Sequence, residues 1–255
     1  MTNLYQRASH SVRPLCFLAA LFLGSAVCGY AQRLYHVELE SKTVHQKKMT
    51  AVRKSLYYTK GGDLNIRWSS GLDTYYSNSS PFGFTFIYYP ATNEKMAIDP
   101  QMFNPRDELL YLVAEGGAED LGMARSGFVL KSSMKDGEFI VRRYEPSKPG
   151  SVCAWVELVL GADYLPVYCA YHDRKDRVIT KTYYSKYTTA GGVAFPTRVT
   201  EVSWLREKAD STVRLDLYSH FEVDVPDGMF NYHIPTDAVS VEMKEGLKAY
   251  KKSLK

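Results

Sequence analysis

PFGFTFIYYP, residues 81–90, decides how this chain is read. A strand with one wet face alternates apolar and polar residues, yet between Phe82 and Tyr89 only Gly83 and Thr85 interrupt a run of bulky side chains. Two readings follow. The strand is buried on both sides in an ordinary core, or one side faces a cavity that holds an apolar ligand.

Similar runs recur on both sides of this segment. Period-two, aromatic or β-branched stretches occupy residues 35–44, 55–68, 84–89, 94–99, 128–131, 138–144, 152–160, 165–172, 178–184, 193–205 and 212–223. Turn residues separate them at 90–93, 147–150, 173–176, 190–192 and 207–211, and Lys60-Gly61-Gly62-Asp63 reads as a bulge or bend. The pattern predicts a mainly β protein of about eleven strands. Sequential neighbours pair as an antiparallel meander by default, and that many strands in one sheet curl strongly.

One segment breaks the period. In NPRDELLYLVAEGG (104–117), Asn104 can cap, Pro105 suits the first helical position, Asp107 stands three residues after the cap, and Gly116-Gly117 can end a helix. Its apolar face, Leu109, Leu110, Leu112 and Val113, predicts that it lies against the sheet, and GAEDLGMARSG after it reads as a second short helix. From residue 239 to 255, Val239, Met243, Leu247, Tyr250 and Leu254 recur at helical spacing among lysines. This tail reads as an amphipathic helix that covers a sheet edge, a membrane or partner contact, or a frayed end.

Residues 1–31 carry Arg7 and Arg13 with no acid, then CFLAALFLGSAV, then the small-residue exit GYA, which reads as a secretory signal peptide cleaved after Ala31. The competing reading makes Cys28 the lipidated first residue of a lipoprotein, a site for which Val27 is a poor neighbour. The leader holds two of the 32 basic residues and none of the 28 acidic ones, leaving 30 against 28. So balanced a chain gives no electrostatic case for nucleic acid. No linker divides residues 32–238, so one domain is expected there.

Cys153 and Cys169 remain after the leader. Both fall on neighbouring strands of a hairpin centred near Gly161, where register decides whether a disulfide forms. His36, His45, His172, His220 and His233 are scattered singly, with no spacing that suits a metal, and the chain has no GxSxG elbow, phosphate loop or CxxC pair. No catalytic residue, metal or cofactor is assigned. Glu157 and Asp216, single carboxylates within strands, read as outward-facing sheet residues.

GGDLNIRW (61–68) followed by TFIYYPATNEKMAI (85–98) resembles the opening of the LolA-like carriers, with their Gly-Asp-Leu strand and an aromatic strand ending in Tyr-x-Pro. The Leu-rich insert and the closing FEVDVPDGMFNYHIP (221–235) keep the same order, so the resemblance spans most of residues 35–238 on short motifs. It departs where Trp68-Ser69 replaces an Arg-Pro-type turn, and where the leader runs into the first strand at Tyr35 without the carriers' N-terminal helix. The resemblance implies an incomplete, strongly curved antiparallel barrel with short lid helices, working as a periplasmic carrier and not as an enzyme. Its cargo would be the acyl chains of lipoproteins or another lipid-like ligand, its partners inner- and outer-membrane envelope proteins, its state a monomer. Arg67 stands where the carriers have a functional basic residue.

By strand parity, Leu64, Ile66, Trp68, Phe84, Phe86, Tyr88, Val156 and Leu158 are the candidate cavity lining, with Leu109, Leu112 and Val113 as lid, while Ile87 and Tyr89 pack against an outer cover or an adjacent element. An apolar lining suffices for such a task. Each methylene removed from water is worth about 0.8 kcal/mol, so a sixteen-carbon chain gives on the order of 10 kcal/mol before ordering costs. Two further readings stay open: an envelope interaction module with a filled β core and no ligand, and an enzyme built on a cluster such as His172 with Asp173 or His220 with a carboxylate.

Overall fold

The structure, a computed structural model, describes residues 32–70, 73–99, 103–148, 150–204 and 210–242. The leader and the part of the expected tail helix beyond residue 242 lie outside them. The strands are β1 (Leu34–His45), β2 (Lys48–Thr59), β3 (Leu64–Ser70), β4 (Asp73–Ser79), β5 (Thr85–Tyr89), β6 (Glu94–Ile98), β7 (Phe128–Asp136), β8 (Phe139–Pro146), β9 (Trp155–Leu160), β10 (Pro166–His172), β11 (Val178–Ala190), β12 (Val193–Trp204), β13 (Ser211–Val223) and β14 (Val239–Val241). Among the described residues these fourteen form one unclosed, curved sheet in the order β14-β6-β5-β4-β3-β2-β1-β13-β12-β11-β10-β9-β8-β7.

The order is two antiparallel meanders, β1 to β6 and β7 to β13, joined where β1 pairs with β13 from Tyr35↔Val223 to His45↔Thr212. β6 and β7 are therefore far apart in the sheet, and the chain between them crosses one face, here called the inner face. That crossing carries a 3-10 turn (Pro105–Asp107) and one short helix, α1 (Leu109–Ala114). The Asn104 side chain accepts from Arg106 N and so caps the 3-10 turn and not, as expected, the leucine-rich helix, which starts only at Leu109 behind Glu108, a residue with no side-chain capping bond. Residues 117–127 fold as successive turns and not as the second helix expected there, with Leu121, Gly122 and Gly127 at positive φ.

The strand count exceeds eleven for three physical reasons. Residues 55–68 are not one bent strand. Gly62 N donates to Thr59 O at 2.7 Å, and Gly61 takes φ +72°, turning the chain back as a tight hairpin. β4, DTYYSNS, is too polar to register as a strand alone, and it is held by β3 and β5 on either side. Val239–Val241, expected to begin the tail helix, instead adds to the sheet edge beside β6, in parallel.

Alternation is clean where one face is dry. On β1, Tyr35, Val37 and Leu39 are buried while His36, Glu38 and Glu40 are only half-buried. The inner face holds two apolar clusters. The first joins Tyr35, Val37, Leu56, Tyr58, Leu64 and Ile66 to Leu110, Val113 and Ala114 of α1. The second joins Tyr144, Val156, Leu158, Leu160 and Cys169 under Met123. The outer face of β2 to β5 is partly covered by residues 228–232, where Phe230 meets Tyr57 edge-on and Tyr232 stacks on Tyr76.

Candidate functional site

Between the two apolar clusters, the inner face and the crossing segment enclose a partly open cavity of about 580 Å³, within the range of small-molecule sites. Leu109, Leu112 and Leu121 form its apolar side. The segment is fastened to the sheet at both ends of α1. Lys54 Nζ lies 3.4 Å from Glu108 Oε1, and Tyr58 OH donates to Glu115 Oε1 at 2.7 Å while accepting from Gly61 N.

The cavity floor is polar. Arg214 Nε lies 3.1 Å from Asp216 Oδ2, its Nη2 lies 3.2 Å from Glu201 Oε2, and Ser41 Oγ donates to Asp216 Oδ1 at 2.5 Å. Asp216 is 5% exposed. Partial burial opposes the Arg214 charge, and the two carboxylates outweigh it, so its pKa is raised. Burial holds the phenols of Tyr184 and Tyr218, which also line the cavity, well above their ordinary value.

As a single carboxylate within a strand Asp216 was expected to face outward, and the structure corrects this. Asp216 pairs with Ser41 and Val199, on the same inner face as Tyr218 and Arg214, while Leu215 and Leu217 point outward. In RLDLYSHF the alternation itself misleads, since Leu215 and Leu217 form the more apolar set, and only pairing with β1 and β12 shows that the set with Arg214 and Asp216 is inside. Glu157, between inward Val156 and Leu158, does face outward.

The predicted lining divides between the two faces. Leu64, Ile66 and Trp68 lie on the inner face, as do Val156 and Leu158. The register Ile66↔Ser77↔Ile87 continues that face into β5, so Ile87 and Tyr89 are inward and Phe86 and Tyr88 are outward, beside Asn78 and Tyr76. Phe84 is 66% exposed and Phe86 39% exposed; Tyr88 is buried and donates its hydroxyl to Asn93. The parity error came from treating β3 and β5 as facing alike without the intervening β4. Among the inner set, Leu64, Ile66, Val156 and Leu158 are no more than 1% exposed and pack as solid core. Trp68 is half-buried, with Lys54 Nζ 6.0 Å from its ring centre. Of the lid residues, Leu109 and Leu112 line the cavity, whereas Val113 packs into the core.

Arg67 is exposed on the outer face, opposite Ser55 and Tyr76, and so does not reach the cavity. Cys153 and Cys169 are free thiols. Register sets Leu158 opposite Cys169, and Cys153 precedes β9, its thiol directed to Trp155 O at 3.3 Å. Among the described residues no group of three His, Cys, Asp or Glu side chains is arranged to hold a metal ion, and no helix is long and apolar enough to cross a membrane.

No protein-family model matches the sequence, and no curated protein matches it significantly. Solved structures do resemble it. A DUF1329 family protein from Desulfovibrio piger superposes with TM-score 0.52 at 16% identity, covering 79% of this chain and 90% of that one. A LolA superfamily protein from Nitrosomonas europaea gives 0.51 at 12%, covering 78% and 90%. A protein from Vibrio parahaemolyticus, described as an outer membrane lipoprotein-sorting protein domain, gives 0.50 at 12%, covering 80% and 90%. At these identities the likeness is one of fold: the chain is built as a LolA-like half-barrel.

Proposed function

We propose that the protein is a carrier or binding protein that shelters an acyl-bearing, amphipathic ligand in the inner-face cavity. The observation that supports this reading is the 580 Å³ space roofed by Leu109, Leu112 and Leu121, in a fold shared with lipoprotein-sorting proteins. The leucine side and the tyrosines supply the surface an alkyl chain needs, and burial of each methylene there is worth about 0.8 kcal/mol. The Arg214, Asp216 and Glu201 floor adds a requirement. A ligand that reaches it must carry polar groups of its own, because desolvating an ion pair without replacing its water costs several kcal/mol. Lipoproteins in transit toward the outer membrane of a periplasm meet that description, with envelope proteins as donor and acceptor and the carrier acting as a monomer without catalysis. The domain would run from residue 32 to 238, behind a cleaved leader. Native mass spectrometry with lipid extraction tests this: a stoichiometric acylated species is expected on protein isolated from the producing cell's envelope. Protein that arrives empty and fails to bind an apolar fluorophore contradicts it.

A second reading, an envelope interaction module with a filled core, draws on the solid packing of Leu64, Ile66, Val156 and Leu158. An empty protein that instead co-purifies with another envelope protein in fixed ratio favours that alternative.

A further inference from the structure

Arg67 faces away from the cavity, opposite Ser55 and Tyr76. It borders a separate trough of about 410 Å³, which Arg53, Ser55, Ser69, Thr74 and Tyr76 also line from the outer face, together with Lys54, Trp68 and one carboxylate, Glu38. The register explains the grouping. Ser55 pairs with Arg67 and Arg53 pairs with Ser69, so the two arginines are diagonal neighbours on one face of adjacent strands, with Cα atoms roughly 7–8 Å apart. Like charges repel when directly opposite, and on this exposed diagonal the repulsion is weaker but of the same sign.

Among the described residues Arg67 has no direct carboxylate partner, and Arg53 shares its partner, Glu40, with Lys42. Glu38, the acid nearest to Arg67 in the register, is engaged elsewhere: Oε1 lies 3.2 Å from His36 Nε2, and Oε2 accepts from Ser55 Oγ at 2.9 Å. Arg67 Nη2 donates to that same neutral Ser55 hydroxyl at 3.2 Å. Arg53 Nη2 stands 3.7 Å from Glu40 Oε1, and Glu40 is shared with Lys42 Nζ at 3.3 Å. Arg53 is also largely exposed, its side chain at 78%. The serine relay thus orients the Arg67 guanidinium while leaving most of its N–H groups to the trough. Ser69 and Thr74 add hydroxyl donors at the rim.

We propose that this trough is an anion site, in which Arg53 and Arg67 together hold one phosphate-type group. Guanidinium forks match the oxygens of phosphate in pairs, and two of them around one anion convert the repulsion into a shared interaction. The two arginines are on the opposite face from the proposed acyl cavity, although Lys54 lines both spaces, and the anion site does not depend on the carrier reading. The group's source is either a phosphate-bearing small molecule or the headgroup of an anionic lipid, and the two differ in what else they bring.

The test is a titration of the purified protein with inorganic phosphate, read by the Nε–Hε resonances of its arginines. Saturable shifts confined to Arg53 and Arg67 are expected, and Arg53→Gln or Arg67→Gln each weakens the apparent affinity by about tenfold, as loss of one charged hydrogen bond does. Arg198→Gln, an exposed arginine on another strand, leaves it unchanged. Binding that does not saturate, or that survives both substitutions, overturns the proposal. Flotation with phosphatidylglycerol vesicles then separates the sources. Recruitment lost in the same two variants assigns a lipid headgroup, and phosphate binding without recruitment assigns a small molecule. Neither substitution changes acyl cargo in the cavity, so failure of this site and failure of the carrier reading give different results.

Discussion

Ile66 and Ile87 share the inner face through Ser77, which pairs with both, whereas Phe86, one residue before Ile87, points out beside Asn78. The run PFGFTFIYYP therefore serves two surfaces. Its inward residues, Thr85, Ile87 and Tyr89, continue the sheet's inner face, and Tyr88 is covered outside by the chain's own arm near Tyr232.

Ser77 is 1% exposed and its Oγ has no hydrogen-bond partner among the described residues. Burying an unmatched hydroxyl costs about 1 kcal/mol or more, so Ser77→Ala leaves stability unchanged or raises it by up to about 1 kcal/mol. The midpoint of urea unfolding reads this directly, and a loss above about 1 kcal/mol would show that the hydroxyl is satisfied in solution.

Core and cavity separate by truncation. Leu158→Ala, at a fully buried position, is expected to cost about 3 kcal/mol, and Leu112→Ala, beside open space, about 1 kcal/mol. Equal costs would mean that the cavity is closed up in solution.

Removing the cation from the cavity floor leaves Asp216 with Ser41 alone. Arg214→Met is expected to cost roughly 2–3 kcal/mol, less than the ~3–5 of a fully buried pair, because the Arg214 side chain is 45% exposed. Glu201→Gln, which leaves Asp216 paired, costs roughly 1 kcal/mol or less. Denaturant unfolding of the two variants should rank them in that order.

Burial pushes the Cys169 thiol up to about 12 from an ordinary 9.0, and raises the phenols of Tyr184 and Tyr218. The fold favours the protonated form of each. Their contribution is complete below the unfolded pKa, about 9 for the thiol and 10 for the phenols, and is lost as pH rises toward the folded values. Alkaline unfolding above about pH 10 is expected to coincide with the appearance of tyrosinate absorbance. Near neutral pH, iodoacetamide should spare Cys169 in the folded protein and label both Cys153 and Cys169 in denaturant without reductant. A requirement for reductant would establish a disulfide between them.

The sequence made the all-β class, the antiparallel meander and the capped insert legible, because alternation at Tyr35–Val37–Leu39 and the Asn104 cap are local features. What it hid depends on neighbours. The polar strand at 73–79 exists through pairing on both sides, and missing it reversed the facing of Phe84 and Phe86. The charged floor of Arg214, Asp216 and Glu201 was hidden because it too depends on neighbours: on β13 the apolar pair Leu215 and Leu217 faces outward, and only register with β1 and β12 tells inside from outside. The buried set Leu64, Ile66, Val156 and Leu158 was found, but an apolar face reads alike whether it lines a cavity or fills a core.

The most direct test compares glutamate placed on the two faces. Protein carrying Leu112→Glu and protein carrying Phe84→Glu are isolated from the same cells and weighed by native mass spectrometry beside the unaltered chain. An inner-face carrier predicts an acylated species on the unaltered chain and on Phe84→Glu, with loss of cargo in Leu112→Glu. Cargo retained by Leu112→Glu, lost in Phe84→Glu, or missing from all three would contradict it.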